Sequence, residues 1–244
     1  MASGESTTEP RSCPYLDGMP LAIFALILSQ SATQPPLQAP EVPKAPAIAT
    51  PKPEETGFTP LFDGTTLKGW VGDTSNYAVE SGAIVCGPKG ANLLTEAVYA
   101  DFELRLEFQL TPGANNGLAI RTPKTGDAAY VGMELQVLDD SSPKYASLKP
   151  WQYHGSIYGV VPAKRGSQRP VGEWNEQTII VKGPRIQVIL NGTVIVDADI
   201  TSAANEGTID GHAHPGLRRH SGHIGFLGHG DRVLFRNIRV KELH

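Results

Sequence analysis

The sequence predicts an all-β protein, a β-sandwich of two antiparallel sheets, and three observations carry that prediction. Residues 102–110 alternate without a break. Phe102, Leu104, Leu106, Phe108 and Leu110 fall on one face; Glu103, Arg105, Glu107 and Gln109 fall on the other. Period two marks a half-buried strand. Residues 185–200 form two apolar runs about Asn191-Gly192, the pair that best fits a type I′ hairpin because both central residues need positive φ. Finally, 26 Gly and 20 Pro punctuate the chain, and no helix beyond about two turns has a supporting pattern.

The N-terminus stands apart from this pattern. Residues 20–34, PLAIFALILSQSATQ, contain an apolar run too short to span a bilayer. The small residues Ser29, Ser31 and Ala32 that follow resemble a signal-peptidase site. An N-terminal extension over residues 1–32 is therefore expected, with a signal-peptide-like segment near 19–32 and export to the periplasm or beyond. Arg11 is the only basic residue ahead of that segment. Residues 33–56 hold Pro35, Pro36, Pro40, Pro43, Pro46, Pro51 and Pro53, the composition of a semi-rigid tether. The folded domain is expected over 57–244.

Within that domain the strand signals follow in order. NYAVESGAIVCG reads as two short strands about Ser81-Gly82, and HIGFLGHG and VLFRNIRVKEL supply the last two. Asn191-Gly192-Thr193 also matches a glycosylation sequon, but the tight turn accounts for it. The two cysteines, Cys13 and Cys86, form no CxxC, so zinc-finger and thioredoxin chemistry have no support. Cys86 lies in an apolar run and is expected to be a buried thiol. Net charge is −4, without a basic stripe, so nucleic acid is not an expected partner.

Three strand candidates carry polar groups opposite their apolar residues. In GMELQVLDD, Glu134 and Gln136 oppose Met133, Leu135 and Val137. In NNGLAIRT, Gly117, Ala119 and Arg121 oppose Leu118 and Ile120. In YHGSIYGVV, His154, Ser156 and Tyr158 oppose Ile157 and Val161. If these strands share a sheet, Arg121, Glu134, Gln136, His154 and Tyr158 converge, with Gly117 and Ala119 leaving room above them. A carboxylate or imidazole moves a proton, an Arg holds an oxyanion, and a Tyr donates. The plainer alternative is a solvated sheet face, which also suits Arg105 and Glu107 as surface or cross-strand pairs.

Residues 205–230 contain five of the seven histidines, at 212, 214, 220, 223 and 229. His212 and His214, with Asp210, are candidate ligands for a divalent metal. A polar loop edging a groove is the alternative. Trp70 and Trp174 are expected to pack, whereas Trp151, beside His154, could be a sugar-stacking platform.

The ordered series GFTPLFDGTTLKGW, NNGLAIR, GMELQVLDD, GSIYGVVPA, KRGSQRPVGEWN, the LNG hairpin and GHIGFLGHGDRVLFRNIRVKEL resembles the 3-keto-disaccharide hydrolase domain family. The resemblance covers residues 57–244. It implies a concanavalin A-like jelly-roll sandwich with one sheet forming a groove, and an exported enzyme acting on glycosides oxidised to a ketone at carbon 3. That ketone acidifies the proton on carbon 2. Removal of the proton and loss of the group on carbon 1 give an enone, which then takes up water. On this reading Glu134 is the candidate base, Arg121 steadies the enolate oxygen, and His154 or Tyr158 is the proton donor. Asn116, Gln136, Asp139 and Trp151 bind sugar, while His229 and Asp231 close the groove. A divalent metal in place of Arg121 is the alternative. The competing function is a non-catalytic, lectin-like carbohydrate-binding module, which needs no base; an export-linked assembly domain is a third.

Overall fold

The structure is a computed structural model that describes residues 55–244. The signal-peptide-like segment, Cys13 and nearly all of the proline-rich stretch lie outside the described residues.

Thirteen strands follow one another: β1 (Thr59–Pro60), β2 (Trp70–Gly72), β3 (Tyr77–Glu80), β4 (Ala83–Cys86), β5 (Asn92–Thr95), β6 (Phe102–Leu110), β7 (Asn115–Thr122), β8 (Met133–Leu138), β9 (Trp174–Lys182), β10 (Arg185–Leu190), β11 (Thr193–Asp199), β12 (His223–Gly228) and β13 (Val233–Glu242). They form two antiparallel sheets. The larger has the order β11-β10-β9-β6-β13-β4-β3, with β1 beside β13; the smaller has the order β2-β5-β12-β7-β8. Sequence-distant neighbours such as β12 and β7 make this the jelly-roll sandwich expected from the sequence. Two short helices, α1 (Ala128–Val131) and α2 (Thr201–Glu206), interrupt the strands. Among the described residues no helix is long and apolar enough to cross a membrane.

The alternation becomes the core. Phe102, Leu104, Leu106, Phe108 and Leu110 of β6 are buried together with Met133, Leu135 and Val137 of β8. Phe226 of β12 stacks on Phe235 of β13 with ring centroids 3.8 Å apart, and Trp70 lies on Phe226 at 5.4 Å. These rings join the two sheets, and cutting one to Ala in such a core costs ~3–5 kcal/mol. Cys86 is a free, fully buried thiol.

The turns follow their residues. Asn191 and Gly192 have φ of 49° and 84°, as the I′ hairpin requires. The Asn191 amide donates to Ser167 O and Asn175 Oδ1. Glu107 is no solvated residue. It faces Arg236 across the β6–β13 ladder and accepts from Arg236 Nε at 2.9 Å and Asn237 Nδ2 at 2.7 Å.

One expected strand takes a different form. Residues 150–161 begin with a 3-10 turn, Pro150–Gln152, and continue as bends with isolated bridges at Ile157. Even so, this segment lies along the outer edge of β8. Gln136 N donates to Ser156 O, Gly155 N to Gln136 O and Tyr158 N to Glu134 O, at 2.8–3.0 Å. The edge of the smaller sheet is thereby covered, and Tyr158 is brought beside Glu134.

Candidate active site

The outer face of the smaller sheet is built from β7 and β8. Their register pairs Ala119 with Glu134, Gly117 with Gln136 and Asn115 with Leu138. Since Met133, Leu135 and Val137 point into the core, Glu134, Gln136 and Leu138 point away from it. They floor a cleft of about 220 Å³, walled by Asn115, Asp127, Tyr130, Gln152, Tyr158 and His229, with Leu148 and Tyr145 at an apolar edge.

Glu134 is the central group. Its carboxylate is 6% exposed, and Oε1 is buried without a hydrogen-bond partner. Burying an unpaired carboxylate oxygen is costly and needs a reason. Gly117 makes the position available, because a Cβ there would lie 2.1 Å from Glu134 Oε1. The His229 imidazole stands beside it, with Nε2 3.7 Å from Oε1, within ion-pair range but too long for a hydrogen bond. The Glu134 carboxylate raises the His229 pKa above the usual imidazole value against the opposing effect of desolvation, and Asp127 and Asp231 add to the rise. Gln136 is held by its own neighbour, Nε2 donating to Asn115 Oδ1 at 2.7 Å. The Tyr158 hydroxyl accepts from Gln152 Nε2 at 3.2 Å, which leaves its own proton free to donate.

Of the residues expected to converge, Glu134, Gln136 and Tyr158 do so, and His229, expected to close the groove, stands in the cleft wall. Arg121 does not. It has φ 47° and sits where the β7–β12 register shifts, so a β-bulge breaks the alternation at that residue. Its guanidinium instead pairs with Asp101 at 2.7 Å and donates to Ala100 O and Gly183 O. His154 does not reach the cleft either. Its segment is not a strand, so period two does not apply. The ring is buried against Phe108 at 4.9 Å, with Nε2 2.9 Å from Gln177 Oε1, and burial pushes its pKa down to about 4.

Asn116 shares the core side with Leu118 and is fully buried, its Oδ1 taking Gly117 N. The other expected sugar ligands are equally engaged elsewhere. Asp139 binds Gly113 N and Ser141. Asp231 accepts from Asn115 N at 3.0 Å. Both carboxylates line a neighbouring recess with Ser141 and Lys144. Trp151 stands edge-on to Tyr158 at 5.1 Å and is not part of the cleft wall.

The expected metal ligands form a pair. His214 Nε2 is 2.9 Å from Asp210 Oδ2, while Asp210 Oδ1 accepts from the Thr208 hydroxyl and His212 N. His212 supplies its backbone, and among the described residues no three His, Cys, Asp or Glu side chains are gathered to hold a metal.

Four wall residues escaped the sequence reading. Asn115 has the same strand parity as Gly117, so the alternation pointed to it rather than Asn116. Asp127 and Tyr130 come from α1, where Asp127 is the N-cap accepting from Ala129 N; Asp ahead of AAYV was a readable cap. Gln152 follows Lys149-Pro150, a turn with no sequence link to the cleft.

Residues 57–241 match the family described as the 3-keto-alpha-glucoside-1,2-lyase-like domain. The chain belongs to this family. A 3-keto-disaccharide hydrolase from Bacteroides thetaiotaomicron is 28% identical over 228 residues, covering 77% of this chain and 79% of that protein. Two crystal structures of candidate glycosyl hydrolases from Parabacteroides distasonis superpose with a TM-score of 0.68. One is 30% identical, covering 76% of this chain and 99% of its own; the other is 26% identical, covering 77% and 94%. In this 3-keto-glucoside lyase-like domain, NNGLAIR and GMELQVLDD supply the floor of the cleft and GSIYGVV its edge.

Proposed function

We propose that the chain is an exported hydrolase that cleaves 3-keto-glycosides by eliminating the group on carbon 1 and then adding water. The observation that carries this reading is Glu134: a buried carboxylate with an unpartnered oxygen, beside a glycine that makes room for it, in a cleft that also holds the His229 imidazole and the Tyr158 hydroxyl. A lectin-like site needs hydrogen-bonding groups already satisfied by sugar or solvent and gains nothing from such a base. Family membership and the named hydrolase relative support a glycoside hydrolase-like activity. The 3-keto substrate extends that support to this chain by analogy.

In the proposed reaction Glu134 takes the proton from carbon 2. The C–H electron pair forms the C1=C2 double bond, and the bond from carbon 1 to the glycosidic oxygen breaks. Tyr158 gives its proton to that oxygen. Negative charge gathers on the keto oxygen, where the His229 imidazolium takes the role expected of Arg121. In the second half water adds to carbon 1, its proton passes to the tyrosinate, and Glu134 returns a proton to carbon 2. No electrons are gained or lost overall. The paired-carboxylate geometry of ordinary glycosidases is not required.

The test is aglycone release from 3-keto-α-glucosides beside the unoxidised glucosides, with and without chelator. Release from the keto compounds alone is expected. Equal release from both series contradicts the eliminative route. Binding of unoxidised sugar without turnover of either series makes the domain a binding module. Loss of turnover with chelator assigns the positive charge at the keto oxygen to a metal instead of His229.

A further inference from the structure

A second carboxylate–imidazole pair lies behind the wall of the cleft. The His214 and Asp210 side chains are each 1% exposed, and Asp210 Oδ2 meets His214 Nε2 at 2.9 Å. The pair is buried, and it touches one cleft residue, Tyr130, and the neighbour of another, Tyr158. The Tyr130 ring lies 4.8 Å from the His214 ring and 6.0 Å from that of His212. Gly159, next to Tyr158, has φ +72°, and a Cβ on it would stand 2.3 Å from Asp210 Oδ2 and 2.8 Å from His214 Nε2. Asp210 N also donates to Gly159 O at 3.3 Å. Beyond the pair, Gly216 packs on the backbone of Gly132, at the end of α1, so closely that a Cβ would overlap Gly132 O. One buried pair therefore touches both elements that deliver a tyrosine to the cleft: α1 with Tyr130, and the β8-edge segment with Tyr158.

We infer that Asp210 and His214 form a positioning dyad that sets Tyr130 against Tyr158, and that Tyr130 contacts the substrate. The inference deepens the reaction proposed above and rests on it for the word substrate. Its structural half, the coupling of the dyad to Tyr130, stands independently. A hydrogen-bonded pair whose side chains are 1% exposed holds its geometry better than two exposed chains, and Tyr130 leans on its imidazole. Desolvation raises the Tyr130 pKa, and the neighbouring Tyr158 and the carboxylates of Asp210, Asp127 and Glu134 raise it further. The phenol thus stays protonated and able to hydrogen-bond a sugar oxygen. The dyad touches no reacting atom. It acts through Tyr130, and Tyr158 remains the proton donor.

The experiment uses the full chain and the variants Y130F, H214A, H214Q, D210N, H214A/Y130F and D210N/Y130F. One arm needs no substrate: phenol absorbance is titrated, and each Tyr130→Phe curve is subtracted from its parent. The Tyr130 midpoint is expected above the ordinary tyrosine value in the parent and lower in D210N; an unmoved midpoint overturns the coupling. The second arm measures turnover of a 3-keto-α-glucoside. H214A should lower kcat by ~10-fold with KM within ~2-fold, and H214Q, which retains a donor to Asp210, should recover most of the loss. In the Y130F background H214A should cost less than ~2-fold more. Losses that multiply would make the dyad independent of Tyr130. If H214A does not fold, D210N and D210N/Y130F carry both arms. If the unmodified chain releases no aglycone, the reaction proposal fails, and the titration still decides the dyad.

Discussion

Two carboxylate–histidine pairs lie near one another and are built in opposite ways. In Asp210–His214 both side chains are buried, the contact is 2.9 Å, and the carboxylate also takes Thr208 and His212 N. In Glu134–His229 the carboxylate is buried while the imidazole is 45% exposed; the contact is 3.7 Å, and Oε1 has no hydrogen-bond partner. The first pair is satisfied and braces structure. The second is left open, and an open buried oxygen is available to a substrate proton. The same two residue types therefore serve support in one place and chemistry in the other. What separates them is how many partners each carboxylate already has.

The sharpest way to break this contrast is to neutralise each carboxylate. Glu134→Gln should reduce turnover by ~10²–10⁴-fold without lowering the melting temperature, since it removes a buried, unpartnered charge. Asp210→Asn should cost ~1–3 kcal/mol of stability, because a buried network loses its charged acceptor, and thermal denaturation beside kinetics reads both effects. A stability loss in E134Q with normal turnover would reverse the roles of the pairs. Gly117→Ala tests the opening itself. The added methyl drives Glu134 from its seat, so turnover should fall ~10–100-fold, with ~1–3 kcal/mol of overpacking.

A smaller effect is expected at His229. Its pKa is raised by Glu134, so the imidazolium persists above the usual value of about 6.5. Activity that depends on it should hold below that value and fall as pH rises through the raised pKa. The stability gained from the pair follows the same sign. His229→Asn should lose that alkaline limb while keeping measurable activity.

His154 shifts the other way. Burial lowers its pKa to about 4, so the unfolded chain binds the extra proton first. Its contribution to stability should be complete above about pH 6.5 and should decline toward pH 4, by on the order of 3 kcal/mol. Replacing His154 by Gln should flatten that acid limb in a denaturation series, and an unchanged limb would place the proton elsewhere.

The fold was largely legible because strand parity and turn chemistry are local properties. Ser81-Gly82 and Asn191-Gly192 sit at turns, and β6 buries the face that its sequence marks. The floor of the site was legible for the same reason: Glu134 and Gln136 belong to an unbroken strand. Arg121 was lost because a single bulge residue reverses the parity after it, and no pattern in NNGLAIRT announces the bulge. His154 was lost because its chain hugs β8 through backbone bonds without being a regular strand. Tyr130 was out of reach because a four-residue helix has too few positions to show a period, although its Asp127 cap was in view.

The most direct test of the account is the fate of the carbon-2 hydrogen. A 3-keto-α-glucoside deuterated at carbon 2 is turned over by the unmodified chain and by E134Q, following both aglycone release and loss of deuterium to solvent. The account predicts a primary isotope effect on release and deuterium loss in the unmodified chain, with both processes suppressed in E134Q. Aglycone release that keeps the deuterium, or an E134Q variant that exchanges it at the normal rate, would contradict the assignment of Glu134 as the base.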